Sequence, residues 1–334
     1  MTDSRPHLQH HALHYQAPRW LPGGQLQTIW PALFSRRHFG PAPVLRRERW
    51  DTPDGDFIDV DFAASLPVSA PLLVLFHGLE GSSASHYAQA FADWAAQHAL
   101  GFAVPHFRGC SGEINRAPRA YHSGDYEEIG WILQRMRSEH PQRCIVAVGV
   151  SLGGNALLRW AQEMGEAASK VVSAVAAVCS PIDLMASGLA IGRGFNRQVY
   201  TRMFLRSMKP KAIARLDRHP GLFNREKLLA ARDLYEFDNL FTAPLHGFKN
   251  TDDYWTRASA KPHLTRLRIP ALVLNTLNDG FVPASSLPAQ HEVGRYVTLW
   301  QPRHGGHVGF PAGSPPGHVR ALPDAVGGWL LAQL

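Results

Sequence analysis

Cysteine is scarce in this chain of 334 residues: Cys110, Cys144 and Cys179 are the whole supply. The number is odd, the spacing is wide, and two of the three fall in apolar, strand-like runs. Free thiols in a reducing compartment fit this better than a disulfide framework, and a cytoplasmic location is expected. Long apolar runs are missing as well. Nothing approaches the roughly 18 uninterrupted apolar residues of a membrane-spanning helix. The opening stretch, Met1-Thr2-Asp3-Ser4-Arg5-Pro6-His7, lacks the apolar centre of a secretory signal. There is no phosphate-cradling glycine loop, no zinc-ligand spacing and no dinucleotide fingerprint, so neither a metal nor an organic cofactor is implied. Charged residues make up only 18% of the chain. Their net balance of +7 permits attraction to anionic surfaces or substrates, but no nucleic-acid recognition module accompanies it.

What is present is apolar residues, 45% of the total, enough for a large core. Residues 1–20 are rich in His and Pro and read as poorly ordered. His7, His10, His11 and His14 fit a solvated tail better than a metal site, having no acidic or cysteine ligand beside them. From Arg19 to Trp30 the chain is too aromatic to be a free linker, so the segment 1–43 is expected to pack onto the core. Val44–Trp50 and Phe57–Phe62 flank Thr52-Pro53-Asp54-Gly55 and predict an antiparallel hairpin.

From residue 71 the pattern changes to unbroken apolar runs, as in parallel strands covered on both faces. Strands are expected at 72–76, 102–105, 144–150, 171–178, 271–275 and 296–300. Helices are expected at 85–99, 125–138, 152–164, around 286–292 and from about 324 to the end. This alternation predicts a single α/β domain over 44–334, with a mostly parallel central sheet, helices on both faces and sites at the strands' carboxyl ends. Between about 184 and 262 the alternation stops. That segment is helix-like and rich in Arg, Lys, Phe and Met, and reads as a helical cap inserted over the strand ends.

The most informative stretch is Cys144 to Asn155. An apolar, β-branched run ends in Gly149-Val150-Ser151-Leu152-Gly153, and a helix-forming run follows. A strand, Gly-x-Ser-x-Gly and a helix is the layout of a nucleophile elbow, which presents a strained serine above a helix N-terminus. A serine needs a histidine base and an orienting carboxylate, in the chain order Ser, acid, His. Position must choose among 18 histidines. His304 and His307 share the glycine-rich loop past Trp300, and local sequence favours neither. Among the acids, Asp279 lies in a turn directly after the 271–275 strand and is preferred to Asp183, which follows the earlier strand. The backbone N–H groups of Leu152 and Leu79 are the expected oxyanion donors. His77 is expected to brace its loop.

With these residues in hand, the chain resembles the α/β-hydrolase superfamily, and within it the YheT-like branch of esterases and lipases. The resemblance is carried by Trp20 to Thr28, His77 to Ser83, Phe107 to Glu113, Tyr121 to Gly124, Gly149 to Asn155, Phe237-Asp238, and the 278–283 and 304–310 loops. It implies Ser151, Asp279 and His307 as a catalytic triad and so decides for His307. Two departures stand out: Gly280 where the family turn has proline, which leaves the acid's loop freer, and Gln25 where histidine is common. Some members carry an N-terminal membrane anchor, which is not expected here.

The expected activity is hydrolysis of short- to medium-chain carboxylic esters, acylglycerols or phospholipids included, through an acyl-enzyme. An acyltransferase using an alcohol or thiol acceptor is the enzymatic alternative, and a non-catalytic lipid-binding protein the other. The expected partner is a small ester or lipid, with peripheral contact to anionic lipid surfaces through the basic cap.

Overall fold

A computed structural model describes residues 13–63 and 69–334. Its strands are β1 (Leu45–Asp51), β2 (Phe57–Ala63), β3 (Leu72–Phe76), β4 (Gly101–Pro105), β5 (Ile145–Val150), β6 (Ala174–Val178), β7 (Ala271–Leu274) and β8 (Val297–Trp300). They form one sheet in the order β1-β2-β4-β3-β5-β6-β7-β8. The hairpin β1–β2 and the β2–β4 pair are antiparallel, and the rest of the sheet is parallel. The helices outside the cap are α1 (Gly24–Leu33), α2 (His86–Gln97), α3 (Tyr126–Glu139), α4 (Leu152–Met164) and a C-terminal helix over Ala321–Leu331.

The two-residue period of a strand divides the core into two layers. Leu72, Val74, Phe76, Ile145, Ala147, Val175 and Val273 point to one face, where Ile129, Ile132 and Met136 of α3 and Leu157 and Trp160 of α4 cover them. Leu73, Leu75, Val146, Val148, Ala176 and Leu272 point to the other, under Phe91 and Trp94 of α2 and Leu322, Val326 and Leu330 of the last helix. Because both faces are covered, the inner parallel strands β3, β5, β6 and β7 carry no polar side chain, and the parallel strands present their carboxyl ends along one rim of the sheet.

Above that rim sits the segment that follows β6. It is built of α5 (Leu184–Ile191), α6 (Gly194–Asn196), a π-helical turn (Arg197–Thr201), α7 (Arg202–Arg218), α8 (Arg225–Ala230), α9 (Leu234–Leu240), α10 (Thr242–Leu245) and α11 (Thr251–Ala258). The last helix of the chain is therefore α12. Four of the cap helices start on side-chain caps: Asp183 accepts from Ala186 N, Asn224 from Lys227 N, Asp233 from Glu236 N and Asn250 from Asp253 N.

Three expectations are corrected. The helix around 286–292 is two 3-10 turns, Ala284–Ser286 and Gln290–Glu292, because Leu287 before Pro288 is extended (φ −70°, ψ 148°). A residue preceding proline is disfavoured in the helical region. The strand expected from 171 begins at Ala174, since Val171 and Val172 both donate their N–H to Ala168 O in a helical turn. Residues 13–20 are not a loose tail: Tyr15 Oη donates to Pro311 O at 2.7 Å, and its ring packs on Phe310 at 5.0 Å. His14 is exposed, and His7, His10 and His11 lie outside the described residues. Among the described residues no helix is long and apolar enough to cross a membrane.

The β4–α3 loop borders the cap and is held by buried charge. Arg108 donates to Glu128, Asp54 and Asp56 at 2.5, 2.7 and 2.9 Å. Asp56 also accepts from Phe57 N, Asn115 Nδ2 and Arg116 N. Taking one partner from such a group leaves a buried charge uncompensated. Asp56→Ala is expected to lower the unfolding free energy by about 3 kcal/mol, read from urea denaturation; an unchanged midpoint would show that this cluster does not hold the loop.

Candidate active site

β5 ends at Val150, and Ser151 turns the chain into α4 at φ 52° and ψ −120°. A non-glycine residue with positive φ costs energy and persists only where its surroundings enforce it. Here the enforcement is backbone packed on backbone. A Cβ at Gly149 would lie 2.4 Å from Gly153 O, and one at Gly153 would lie 2.5 Å from His77 O. Ser151 N donates to Val178 O at 2.8 Å, tying the elbow to β6.

Around Ser151 the structure gathers His307 and Asp279. His307 Nε2 lies 3.0 Å from Ser151 Oγ, and His307 Nδ1 lies 2.9 Å from Asp279 Oδ2. A carboxylate only accepts, so Nδ1 carries the hydrogen and Nε2 is left to accept from the serine hydroxyl. The other oxygen of Asp279 accepts from Phe281 N and Val282 N at 2.7 and 3.3 Å. Phe281 stacks on the imidazole with centroids 4.1 Å apart. The rival candidates lie elsewhere: His304 is exposed, and Asp183 caps α5 by accepting from Ala186 N at 3.0 Å.

The loop after β3 packs against the serine, where a Cβ at Gly78 would come within 3.2 Å of Ser151 Cβ. In that loop Gly78 N donates to Tyr87 Oη and Glu80 N to Tyr121 Oη, at 2.9 and 3.0 Å. The Leu79 amide between them has no protein partner among the described residues, and the Leu152 amide opens α4, where amide hydrogens are unpaired by geometry. His77 is buried and donates Nδ1–H to Gly78 O at 2.8 Å, while its Nε2 accepts from Phe107 N at 3.1 Å. Burial and the neighbouring His106 push its pKa down to about 3, so it serves as a neutral brace.

Sequence reading did not find the residues that hold these loops together. Gln27 is 2% exposed, and its side-chain oxygen accepts from both Gly305 N and Asn278 Nδ2 at 2.9 Å. Its amide donates to Leu21 O at 2.8 Å. Asn278 Oδ1 accepts from Gly306 N, and Thr28 Oγ1 accepts from His307 N, at 3.0 and 2.8 Å. The N-terminal helix α1 thus clamps the acid and histidine loops from outside the sheet. Asn155 does the same beneath the cap: its amide reaches Ser123 O and Ala258 O, and its oxygen accepts from Ala260 N. No local signal marks a glutamine or asparagine for such a role, because its partners are far away in sequence.

The two departures from the family pattern meet in space. Gln25 donates to Asn196 Oδ1 and accepts from Tyr200 Oη, and Asn196 Nδ2 donates to Gly280 O at 2.6 Å. A Cβ at position 280 would lie 2.6 Å from Gln25 Nε2. The freedom expected of Gly280 is therefore taken up by contacts to α1 and the cap.

A cavity of about 120 Å³ opens on Ser151, Leu152 and Leu79. Its wall is mostly apolar cap, including Ile191, Phe204, Met208, Leu234, Phe241 and Trp255. Asp238 is also in the wall. It accepts from Thr242 Oγ1 and Trp255 Nε1 at 2.6 and 2.9 Å, and burial pushes its pKa up to about 6. Among the described residues no group of His, Cys, Asp and Glu has the arrangement to hold a metal ion.

Residues 71–313 match a family model described as alpha/beta hydrolase fold. The Escherichia coli K12 protein named "Putative esterase YheT" is 37% identical, over 92% of this chain and 90% of its own. The human protein named Phospholipase ABHD3 is 26% identical, over 90% of this chain and 75% of its own. Among solved structures, Est1E from Butyrivibrio proteoclasticus with ferulic acid bound superposes with a TM-score of 0.54. It covers 86% of this chain and 98% of the other at 14% identity, which is a likeness of fold.

The clamp at α1 makes a prediction. Gln27→Ala frees both loops, and a small misplacement of a reacting group can cost about a hundredfold in rate. The variant is expected to lose roughly ten- to hundredfold in kcat on an ester substrate, with a smaller change in KM. Wild-type kcat in the variant would show that Gln27 does not position the histidine.

Proposed function

Because the chain belongs to the α/β-hydrolase fold family, among its esterase- and lipase-like members, we propose that Ser151 is the nucleophile that cleaves carboxylic esters through an acyl-enzyme. A carboxylic ester hydrolase needs an activated oxygen, and the hydrogen-bonded chain Ser151–His307–Asp279 supplies one. The observation that carries the reading is the 3.0 Å contact between His307 Nε2 and a serine oxygen on a positive-φ elbow.

In this mechanism Ser151 Oγ attacks the acyl carbonyl as its proton passes to His307 Nε2. Asp279 stabilises the imidazolium and keeps the ring oriented. The negative charge on the carbonyl oxygen is met by the Leu79 and Leu152 N–H groups. His307 then gives its proton to the departing alkoxide, releasing the alcohol and leaving an ester bond to Ser151. Water takes the vacated place and attacks the acyl carbon as His307 accepts its proton; the Ser151 Oγ–acyl bond then breaks and His307 returns the proton to Oγ, which frees the acid and restores the serine. The apolar cavity supports short- to medium-chain acyl groups as substrates.

The outer face of the cap supports contact with an anionic lipid surface. Phe195, Val199 and Met203 recur every fourth residue from α6 into α7 and are 51%, 36% and 54% exposed. Arg193, Arg197, Arg202 and Arg206 flank them and are exposed. Apolar side chains in a frame of arginines match the boundary between acyl chains and anionic head groups.

A fluorophosphonate probe is expected to label the wild type and not Ser151→Ala. His307→Ala and Asp279→Ala should each lower kcat by about a thousandfold or more. Asp183→Ala should leave kcat within a few-fold and cost about 1 kcal/mol of stability as a lost helix cap. Loss of turnover in Asp183→Ala instead of Asp279→Ala would reassign the acid. In p-nitrophenyl esters of increasing length, kcat/KM should rise from acetyl to a medium chain and then fall.

For the lipid surface, co-sedimentation with phosphatidylglycerol vesicles should exceed that with phosphatidylcholine vesicles and weaken as salt is raised. The pair Phe195→Ser and Met203→Ser should reduce it several-fold. Equal binding to both lipids at every salt concentration would refute the contact.

A further inference from the structure

The cavity that opens on Ser151 is lined by a cation with no counter-ion among the described residues. Phe204, Met208, Lys211 and Arg215 follow one another on α7 at steps of four, three and four, so one face of the helix forms a wall of the cavity. The Phe204 end lies beside Phe281, with ring centroids 6.3 Å apart, and Phe281 in turn stacks on His307. The other end is basic.

The charges at that end are accounted for one by one. Lys211 Nζ pairs with Glu80 Oε2 at 2.8 Å, and Glu80 Oε1 accepts from Tyr121 Oη at 2.9 Å. Arg108 is taken up by Asp54, Asp56 and Glu128. Asp238 is committed to Thr242 and Trp255. Arg215 is left over. It is 3% exposed, and no carboxylate of the described residues lies within ion-pair distance of it. Among the described residues its side chain makes one hydrogen bond, a long one from Nη2 to Arg108 O at 3.4 Å, and its Nε has no partner. The space beside the guanidinium exists because residue 109 is glycine: a Cβ there would lie 3.3 Å from Nη2.

A guanidinium stays charged under all ordinary conditions, and burying it unpaired is strongly unfavourable. Burial does push its pKa down, which reports the same unmet charge. A planar fork of donors facing a cavity is the geometry that recognises a carboxylate or a phosphate. A purely structural arginine would show the opposite pattern, with its donors filled by protein acceptors, as Arg108 does.

We propose that Arg215 is an anion-binding subsite of this cavity, which takes a carboxylate or phosphate group of an ester whose carbonyl lies at Ser151. The proposal rests on the ester-hydrolase reading of Ser151. It makes the preferred substrate an amphiphile with three parts: an apolar segment against Phe204 and Met208, an ester at the elbow, and an anion at Arg215. The anion belongs either to the acyl side, as in a dicarboxylic half-ester, or to the alcohol side, as in an acylglycerol phosphate.

Two substrate pairs separate these sources. On the acyl side, p-nitrophenyl hemiglutarate is compared with p-nitrophenyl valerate. On the alcohol side, 1-butyrylglycerol 3-phosphate is compared with 1-butyrylglycerol. The wild type should favour the anionic member of at least one pair in kcat/KM. Arg215→Met should reduce that preference by roughly tenfold or more, the scale of a hydrogen-bonded charge, and Arg215→Lys should retain part of it. A thermal unfolding scan accompanies each variant. Arg215→Met should unfold at or above the wild-type temperature, because it removes an uncompensated buried charge; a large drop would assign Arg215 to the fold and overturn the proposal.

Preference ratios that Arg215→Met leaves unmoved for both pairs would also overturn it. A direct measurement keeps the two readings apart. Calorimetric titration of Ser151→Ala with 1-butyrylglycerol 3-phosphate should show binding that Ser151→Ala combined with Arg215→Met has lost at least tenfold. That result supports the subsite even if fluorophosphonate fails to label the wild type and the hydrolase reading falls. Equal binding to both proteins, together with unmoved ratios, would overturn the subsite alone.

Discussion

The close approach of backbone at the carboxyl end of β5 is the constraint on which the rest of the site depends. Three glycines, at positions 149, 153 and 154, let the β3 loop, the elbow and α4 meet where a Cβ would collide, and Gly78 keeps the β3 loop tight against Ser151. The positive φ of Ser151 follows from that crowding. So does the placement of its hydroxyl above the α4 N-terminus, beside the Leu79 amide. The strain is local, and it is maintained by a sheet buried on both faces, whose core cannot relax without losing packing.

In the proposed mechanism a rigid Ser151 is useful only if His307 and Asp279 are equally fixed, and both sit on loops. Here loops are fixed by polar side chains that reach across long stretches of sequence. Gln27, Thr28 and Asn278 bind the acid turn to the histidine turn, and Asn155 binds the elbow helix to both the 123 loop and the far end of the cap. Each of these groups is buried or partly buried and hydrogen-bonded, so breaking one leaves a desolvated polar atom as well as a loosened loop. Gln25 extends the clamp to the cap through Asn196 and Gly280. The N-terminal segment is thus part of the machinery that positions the site, although it contributes no reacting atom.

The cap gives the cavity its character. Its inner side supplies aromatic and aliphatic wall and, at one end, Lys211 and Arg215; its outer side carries exposed arginines around Phe195, Val199 and Met203. The same basic composition therefore does different things in different places. In the roles proposed for them, the solvated arginines outside work through long-range attraction, and Arg215 inside, which has no carboxylate partner among the described residues, works through hydrogen-bond geometry, where water cannot screen it.

Much of the architecture is legible in the sequence by itself, because it rests on local periodicity. Unbroken apolar runs mark the parallel strands, and strand–Gly-x-Ser-x-Gly–helix marks the turn at Ser151; both are short-range patterns with a steric cause. Short-range rules also failed where proline intervened, as at Pro288, and where tertiary packing ordered a tail, as at Tyr15. What only the tertiary structure decided is which distant groups meet. Local sequence favours neither His304 nor His307, and where the resemblance implies His307, the fold gives the physical reason: His304 is exposed and His307 lies between Ser151 and Asp279. Gln27, Asn155 and Arg215 look like ordinary polar residues in sequence. Their roles depend on burial and on partners up to hundreds of residues away, and no local pattern encodes either, because both are properties of the folded surroundings.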